Sequence, residues 1–315
     1  MPANPATRYV YLGPEGTFSE QALRLVSDAP GHRPVRSVPE ALEAVRAGTA
    51  DAALVPLENS VGGAVGVTLD EMIDGDPLMI VREVVIPVDF VLAARPGIDL
   101  AAVRSVAAHP QASTQCRGWL RRHVPEAVVI DVLSNGAAAQ AAAKGEQDAA
   151  ICAPIGADGQ SLVRLAERIA DHPDAVTRFV LVSRPGPPPA PTGDDVTSLA
   201  VYISHDRVGA LLSVLTELAV RGVNLSRIES RPSGEGLGRY VFFLDCAGHV
   251  GEARLGEALQ GLRRVCADLR FLGSYPRHRW AGGDDTEPVV APGLTDADYA
   301  EAARWLAGLR AGRPD

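Results

Sequence analysis

Three consecutive residues, Thr177-Arg178-Phe179, put a hydroxyl, a guanidinium and an aromatic ring on one extended stretch. On a strand they can present two polar groups to a cleft while an apolar group helps to close it. A guanidinium forks onto a carboxylate, and a hydroxyl can donate to an oxygen on which charge develops. The bland reading is an edge strand with Thr177 and Arg178 in solvent, and the residues alone do not separate the two.

A second polar cluster, Glu58-Asn59-Ser60, follows an apolar run and precedes Val61-Gly62-Gly63, whose glycines permit close backbone approach to a ligand. It reads as a site candidate or as a polar strand-to-helix loop capping a helix that begins near Ala64. A third set, His109, Gln111 and Ser113, lies on a later loop. A histidine before proline is more often a turn residue than a catalyst, and no second histidine stands at metal-ligand spacing.

The elements that must hold these groups follow from periodicity and punctuation. Arg8 to Leu12 reads as a short buried strand, then a turn Gly13-Pro14-Glu15-Gly16 and a helix from Phe18. Thr17-Phe-Ser-Glu20 fits a capping box, and the turn's backbone N–H groups with the helix dipole favour an anion. Ser37-Val-Pro-Glu40 repeats the capping signal before a second helix, and Asp51 to Pro56 reads as a strand. The pattern then recurs: Gly48-Thr-Ala-Asp51-Ala-Ala-Leu-Val-Pro56 is echoed by Gly145-Glu-Gln-Asp148-Ala-Ala-Ile-Cys-Ala-Pro154. The segment from Gly13 to Leu23 is likewise echoed by the one from Ser105 to Cys116. Two echoes in the same order predict two α/β lobes of like construction, facing each other across a ligand-binding crevice.

Leu78 to Ala94 is a long valine- and isoleucine-rich run broken by Pro87, and it is the natural crossover between lobes. The second lobe is expected to contain a helix from Gln111 to His123, a strand near Val128 to Val132 and a helix capped by Ser134. Ala175 to Val182 is then the last strand before the proline-rich linker. If it crosses back to the first lobe, Thr177 and Arg178 lie at the hinge of the cleft.

At 315 residues, with 46% hydrophobic and 22% charged residues, the chain has the composition of a soluble globular protein of two or three domains. A net charge of −9 without a basic block argues against a nucleic-acid surface. No apolar run is long enough for a membrane span. Lys144 is the only lysine, which makes lysine-bound pyridoxal chemistry improbable. Cys116, Cys152, Cys246 and Cys266 show no paired spacing, and the N-terminus lacks a signal peptide's apolar core. They read as reduced core thiols of a cytoplasmic protein.

After the linker, strands at Leu199 to Ser204, Val223 to Arg231, Arg239 to Cys246 and Leu269 to Ser274 alternate with helices at Val208 to Val220 and Glu252 to Cys266. The order βαββαβ predicts an α+β ferredoxin-like sandwich. The glycines at 234, 236 and 238 read as a hairpin turn. Gly209 and Asn224 would let a ligand approach the backbone, or are ordinary helix punctuation. Residues 281–293 are polar and glycine-rich, and the helix after them, with Tyr299, Trp305, Leu306 and Leu309, is expected to dock on the protein.

Tyr11-Leu-Gly-Pro-Glu-Gly-Thr-Phe-Ser-Glu20, Pro56-Leu-Glu-Asn-Ser60, His109-Pro-Gln111 and Thr177-Arg-Phe179, with Gly209-Ala-Leu-Leu212 and Glu229-Ser-Arg-Pro232 in the last module, together resemble the prephenate dehydratase family. The likeness runs to about Tyr275; the tail after Trp280 lies outside it. Ala112-Ser113-Thr114 departs mildly from the family pattern and leaves Gln111 in place.

The resemblance implies a type-II periplasmic-binding-protein-like catalytic domain over 1–185, with lobe 1 at about 1–85 and 175–185 and lobe 2 at about 86–174. A linker at 186–195, an ACT regulatory domain at 196–276 and a tail at 277–315 follow. It implies conversion of prephenate to phenylpyruvate, water and carbon dioxide in phenylalanine biosynthesis, with no metal or organic cofactor. Arg178 would grip a carboxylate and Thr177 would hydrogen-bond the leaving hydroxyl. Asn59, Ser60 and Gln111 would orient the substrate, and Glu58 or water would supply a proton. Glu15 and Thr17 would build a wall and Phe179 would exclude water. L-phenylalanine would bind the ACT domains of a homodimer or homotetramer, near Gly209, Ala210, Leu211 and Leu212, near Asn224 and Leu225, and near Glu229, Ser230, Arg231 and Pro232. Arogenate dehydratase shares these motifs, and the lobes alone would also suit a solute-binding protein with an amino-acid sensor.

Overall fold

Ser37 and Ser134 cap the helices they precede: Ser37 Oγ accepts from Glu40 N at 3.2 Å and Ser134 Oγ from Ala137 N at 3.0 Å. Such caps satisfy donors that the first helical turn leaves unpaired. The computed structural model describes residues 7–28, 31–203, 208–234, 236, 238–280 and 290–313. Ser204, Glu235 and Leu237, and the 281–289 stretch, lie outside the described residues.

In chain order the first elements are β1 (Tyr9–Leu12), α1 (Phe18–Arg24), β2 (Arg33–Val35), α2 (Val38–Arg46), β3 (Ala52–Asn59), β4 (Gly63–Ala64), α3 (Gly66–Ile73) and β5 (Met79–Pro87). A second series follows: β6 (Val91–Ala94), β7 (Ser105–Ala108), α4 (Pro110–Gln115), α5 (Arg117–His123), β8 (Val128–Asp131), α6 (Asn135–Lys144), β9 (Ala149–Cys152), α7 (Pro154–Gly159) and β10 (Val163–Ala166). Then β11 (Val176–Ser183) returns to the first sheet, whose order is β2-β1-β3-β11-β5, with β4 paired to β3. The second sheet runs β10-β6-β9-β7-β8. In each sheet three parallel strands are followed by an antiparallel one, β11 against β3 and β6 against β9. The two lobes thus repeat one architecture.

The internal echo has a physical cause. Asp51, just before β3, accepts from the backbone N–H of Arg8 at 2.9 Å, at the entrance to the neighbouring parallel strand β1. Asp148, just before β9, does the same for Arg104 and Ser105 at the entrance to β7, both at 2.9 Å. Each aspartate satisfies donors that the adjacent strand's start would otherwise leave unpaired. The Arg8 hydrogen bond holds the Asp51 carboxyl down at about 2. Alanines dominate the core of the second lobe, including Ala107, Ala138, Ala142 and Ala150, so α6 lies close on its sheet.

Three local expectations are corrected. The α1 capping box does not form. Thr17 caps no helix N–H; its hydroxyl donates to Pro14 O at 3.1 Å, while Glu20 accepts from Gly16 N at 2.6 Å. A protein carboxylate therefore takes the anion position of that turn. The helix expected over 111–123 is two helices that break at Cys116, because Asp171 accepts from Gly118 N at 2.7 Å and Trp119 N at 3.1 Å and starts a new one. The strand expected to stop at Pro56 continues through Asn59, while the helix expected near Ala64 begins at Gly66, directly after the two-residue β4.

The chain divides into two compact units, Met1–Glu71 with Val84–Arg184, and Met72–Glu83 with Pro185–Asp315. Residues 72–83, which the sequence leaves with the first lobe, group with the second unit. That unit contains β12 (Asp195–Tyr202), α8 (Ala210–Ala219), β13 (Leu225–Pro232), β14 (Tyr240–Ala247), α9 (Ala253–Val265), β15 (Asp268–Pro276) and α10 (Asp296–Arg310). Its sheet order, β13-β14-β12-β15, is that of a ferredoxin-like fold. Leu199, Val201, Val214, Leu218, Leu255 and Leu262 form its core between sheet and helices. The tail helix α10 is pinned at its start, where Arg254 N donates to Asp296 at 3.1 Å. The helix docks on α9 over its first part, where Tyr299 is half-buried, while Trp305 farther along is 54% exposed, so the expected apolar side is only partly covered.

Candidate active site

Pairing of β11 with β3 sets Thr177 opposite Asn59 and Arg178 opposite Glu58, with an irregularity in register after Arg178. Residues 118 apart in sequence thus become neighbours, and the bland edge-strand reading of Thr177 fails. Asn59, 8% exposed, is fully committed. Its Oδ1 accepts from Val61 N at 3.0 Å and Gly62 N at 2.7 Å, while its Nδ2 donates to Thr177 Oγ1 at 2.9 Å and Val176 O at 3.3 Å. Two backbone donors on one side fix which end of the amide faces Thr177. The threonine oxygen is therefore an acceptor toward Asn59, and its own proton is directed elsewhere.

Ser60 locks the entrance to β11 from both sides: Ser60 N donates to Val176 O at 2.9 Å and Val176 N donates to Ser60 Oγ at 3.0 Å. Gln111 arrives from the second lobe. A Cβ on Gly62 would overlap its carboxamide, so the missing side chain is what admits Gln111 to the Asn59 loop. This glycine receives a side chain rather than a ligand backbone. Ahead of Gln111, His109 caps α4, its Nδ1 accepting from Gln111 N at 3.3 Å, and burial lowers the His109 pKa against the pull of Asp131. The histidine is a helix cap.

The lobes also meet where Gly136 and Gly156, two glycines without a sequence signal of their own, face the Glu15-Gly16 turn. A Cβ on Gly156 would stand 2.6 Å from Gly16 O, and one on Gly136 would overlap Glu15 O. Gly16 itself has φ +81, in the left-handed region. Beside this contact the Oδ1 of Asn135 is buried with no hydrogen-bond partner, an acceptor that a donor in the crevice could meet. Only the short spacing from Ser134 to Gly136 hinted at these residues.

The remaining first-unit candidates are more scattered. The Thr17 hydroxyl is spent on the loop's own carbonyls. Glu15 is exposed and lines a polar cavity of about 370 Å³ with Tyr11, Glu20, Arg24 and His32. Phe179 is 2% exposed and belongs to the core beneath the strand. Among the described residues, no group of three or more His, Cys, Asp or Glu side chains could hold a metal ion.

In the second unit Gly209 caps α8 with φ 77 and open space where a Cβ would point. Ala210 after it is buried, Leu211 is half-buried and Leu212 is 67% exposed. Asn224 is exposed and its carbonyl accepts from Ala247 N at 2.8 Å. Leu225, Glu229 and Arg231 are half-buried on β13, with Ser230 and Pro232 exposed. This strand is one of the two edge strands of its sheet.

A paired-lobe α/β unit with a polar site on its return strand, carried with a ferredoxin-like module, defines a two-lobed protein of the kind that binds or transforms a small ligand. A family model described as prephenate dehydratase matches residues 9–187, and one described as ACT domain matches 197–264. A prephenate dehydratase of Mycolicibacterium vanbaalenii is 48% identical over 319 residues, covering 96% of this chain and 98% of that one. The crystal structure of an Arthrobacter aurescens prephenate dehydratase in complex with L-Phe aligns with TM-score 0.87 and 47% identity, over 96% of this chain and 99% of that one. A structure described as a novel type of quorum quenching acylase, GqqA, aligns with TM-score 0.78 and 27% identity, over 86% of this chain and 98% of that one. The chain belongs to the prephenate dehydratase family and carries an ACT domain.

Proposed function

We propose that Thr177 acts directly on the leaving hydroxyl of prephenate. The observation that carries this reading is the Asn59 to Thr177 hydrogen bond at 2.9 Å, which leaves the threonine proton directed away from Asn59. In the reaction the ring C–OH bond breaks as the bond to the ring carboxylate breaks. The electron pair of the C–CO2 bond enters the ring, carbon dioxide departs, and the leaving hydroxide takes one proton to become water. Threonine is too weak an acid to end the step deprotonated near neutrality, so its hydroxyl donates a hydrogen bond as charge develops and relays a proton from water or Glu58. Arg178 holds a substrate carboxylate through its planar fork. Gln111 contributes from the facing lobe, and Asn59 and Ser60 fix the strand that carries Thr177.

The acylase neighbour raises a second chemistry for the same fold, since fold alone does not fix function. An acyl-transferring nucleophile needs a base at its oxygen. The group bonded to Thr177 Oγ1 is an amide, which cannot take the proton. Dehydration is the reading this geometry favours.

L-phenylalanine is the proposed effector, taken by the ACT domain near Gly209 and the β13 strand. The L-Phe complex of the Arthrobacter aurescens protein supports this. An outermost β13 supports pairing of that domain with a second copy, as dimer or tetramer. Four free cysteines fit a reducing, cytoplasmic setting. Purified protein incubated separately with prephenate and with arogenate tests the substrate: aromatic product from prephenate is expected. Product from arogenate alone would move the assignment to arogenate dehydratase, and none from either would overturn the enzymatic reading.

A further inference from the structure

We propose that β5 transmits phenylalanine binding to the catalytic strand, and that Gly273 is where the ACT sheet grips it. This inference rests on the phenylalanine reading above. Strand β5 is continuous from Met79 to Pro87, yet its residues through Glu83 fall in the second unit and those from Val84 in the first.

Within the second unit, segment 73–83 is held at three points. Gly273 of β15 has φ +143, and a Cβ there would overlap the Ile80 backbone. Arg270 of the same strand donates to the Ile73 carbonyl. The buried Glu83 carboxylate accepts from His278 N at 2.8 Å. The sheet around Gly273 is stiff. Ser198, paired with both Gly273 and Asp245, donates to Asp245 at 2.5 Å and shares a 2.6 Å hydrogen bond with Tyr275. Ser198, Asp245 and Tyr275 are 3%, 2% and 0% exposed, and a buried polar network with its partners in place resists deformation. Movement of β15 therefore moves the near half of β5.

Within the first unit, the far half of β5 lies beside β11 in the sheet. Val88 N donates to Ala175 O at 2.8 Å, two residues before Thr177, while Ser60 holds Val176 on the opposite side. The catalytic strand is thus seated between β5 and β3. If phenylalanine binds two arrangements of the ACT sheet unequally, β5 carries that difference to the entrance of β11 as a shift in population.

The test uses the full chain, with Gly273→Ala to disturb the grip and Arg270→Ala as a milder variant should the first not fold. Turnover of prephenate is measured with and without phenylalanine, and phenylalanine binding by calorimetry. In the unaltered protein, saturating phenylalanine should change kcat/KM by about 5- to 150-fold, the usual range of allosteric coupling. It should also alter hydrogen exchange at the Val84, Val85, Ile86 and Val88 amides. Both variants are expected to keep basal turnover and phenylalanine binding, while the effect of phenylalanine on kcat/KM and on those amides shrinks. A variant that binds phenylalanine and responds as fully as the unaltered protein overturns the role of β5, and if Gly273→Ala does not fold, Arg270→Ala alone decides. No binding and no response in the unaltered protein would instead overturn the phenylalanine reading, and the role of β5 with it.

Discussion

Asn59 donates to the Thr177 hydroxyl oxygen at 2.9 Å while both of its backbone acceptor contacts, to Val61 N and Gly62 N, hold the amide in place. The outgoing strand of the first lobe thereby sets the direction of a hydroxyl on the returning strand. Charge developing on a leaving group is stabilised only by donors already aimed at it. On the proposed mechanism, Asn59 contributes orientation.

Asn59→Asp tests that contribution while keeping the acceptor side of the residue, at a cost in stability because the donation to Val176 O is lost as well. An aspartate still accepts from Val61 and Gly62, but it cannot donate to Thr177, so the hydroxyl turns to donate to the new carboxylate. The expected loss in kcat is about 10²- to 10³-fold, the cost of removing one such donor, with a smaller change in KM. Thr177→Val should show a loss of the same order. Steady-state kinetics on both variants, with circular dichroism to verify folding, decide the matter; near-normal turnover in Thr177→Val would remove it from the reaction.

Gly62→Ala should imitate loss of Gln111. The added methyl occupies the space now taken by the Gln111 carboxamide, and because that group ends a flexible side chain it is the part that moves. A raised KM is expected for Gly62→Ala and for Gln111→Ala, and the double variant should be little worse than either. Groups in contact are non-additive. Full additivity would show that the two residues act separately.

Much of this arrangement was legible in the sequence because it rests on local chemistry. The caps at Ser37 and Ser134 and the repeated glycine-to-aspartate pattern need only nearby residues or a neighbouring parallel strand to explain them. Other features depended on partners far along the chain. Glu58 and Asn59 look like a loop until β11 pairs with them. The break at Cys116 is imposed by Asp171, 53 residues from Gly118. Gly62, Gly136 and Gly156 matter through what approaches them, which a residue without a side chain cannot announce. The apolar spacing of Trp305, Leu306 and Leu309 marks a helix correctly but does not supply a surface for it.

Gly156→Ala should weaken catalysis by parting two lobes that remain folded. A Cβ there would stand 2.6 Å from Gly16 O, on the opposing lobe, and must hold the two loops apart. Within a helix, alanine is favoured over glycine by about 1 kcal/mol, which favours the helix itself. A misplacement of about 1 Å can cost on the order of 10²-fold in rate. The expected pattern is a reduced kcat/KM with at most a small change in Tm, the helix gain offsetting part of the cost of the overlap. A lower Tm with unaltered kcat/KM would show that the contact serves folding instead.

Low pH should loosen substrate binding through His109. Its Nδ1 can accept from Gln111 N only while unprotonated, and burial lowers its pKa below the ordinary 6.5 despite the charge of Asp131. Between the lowered folded value and 6.5 the unfolded chain binds more protons than the folded one, so stability rises with pH across that window. The contribution is fully present above 6.5 and is lost as pH falls through the folded value. Protonation removes the cap of α4, whose second residue is Gln111, so KM for prephenate should climb on the acid side. In His109→Asn a side-chain acceptor suited to a helix start is kept but does not titrate. That variant should lose the acid rise in KM while keeping its neutral-pH value; an identical acid limb in both proteins would assign the titration to another group.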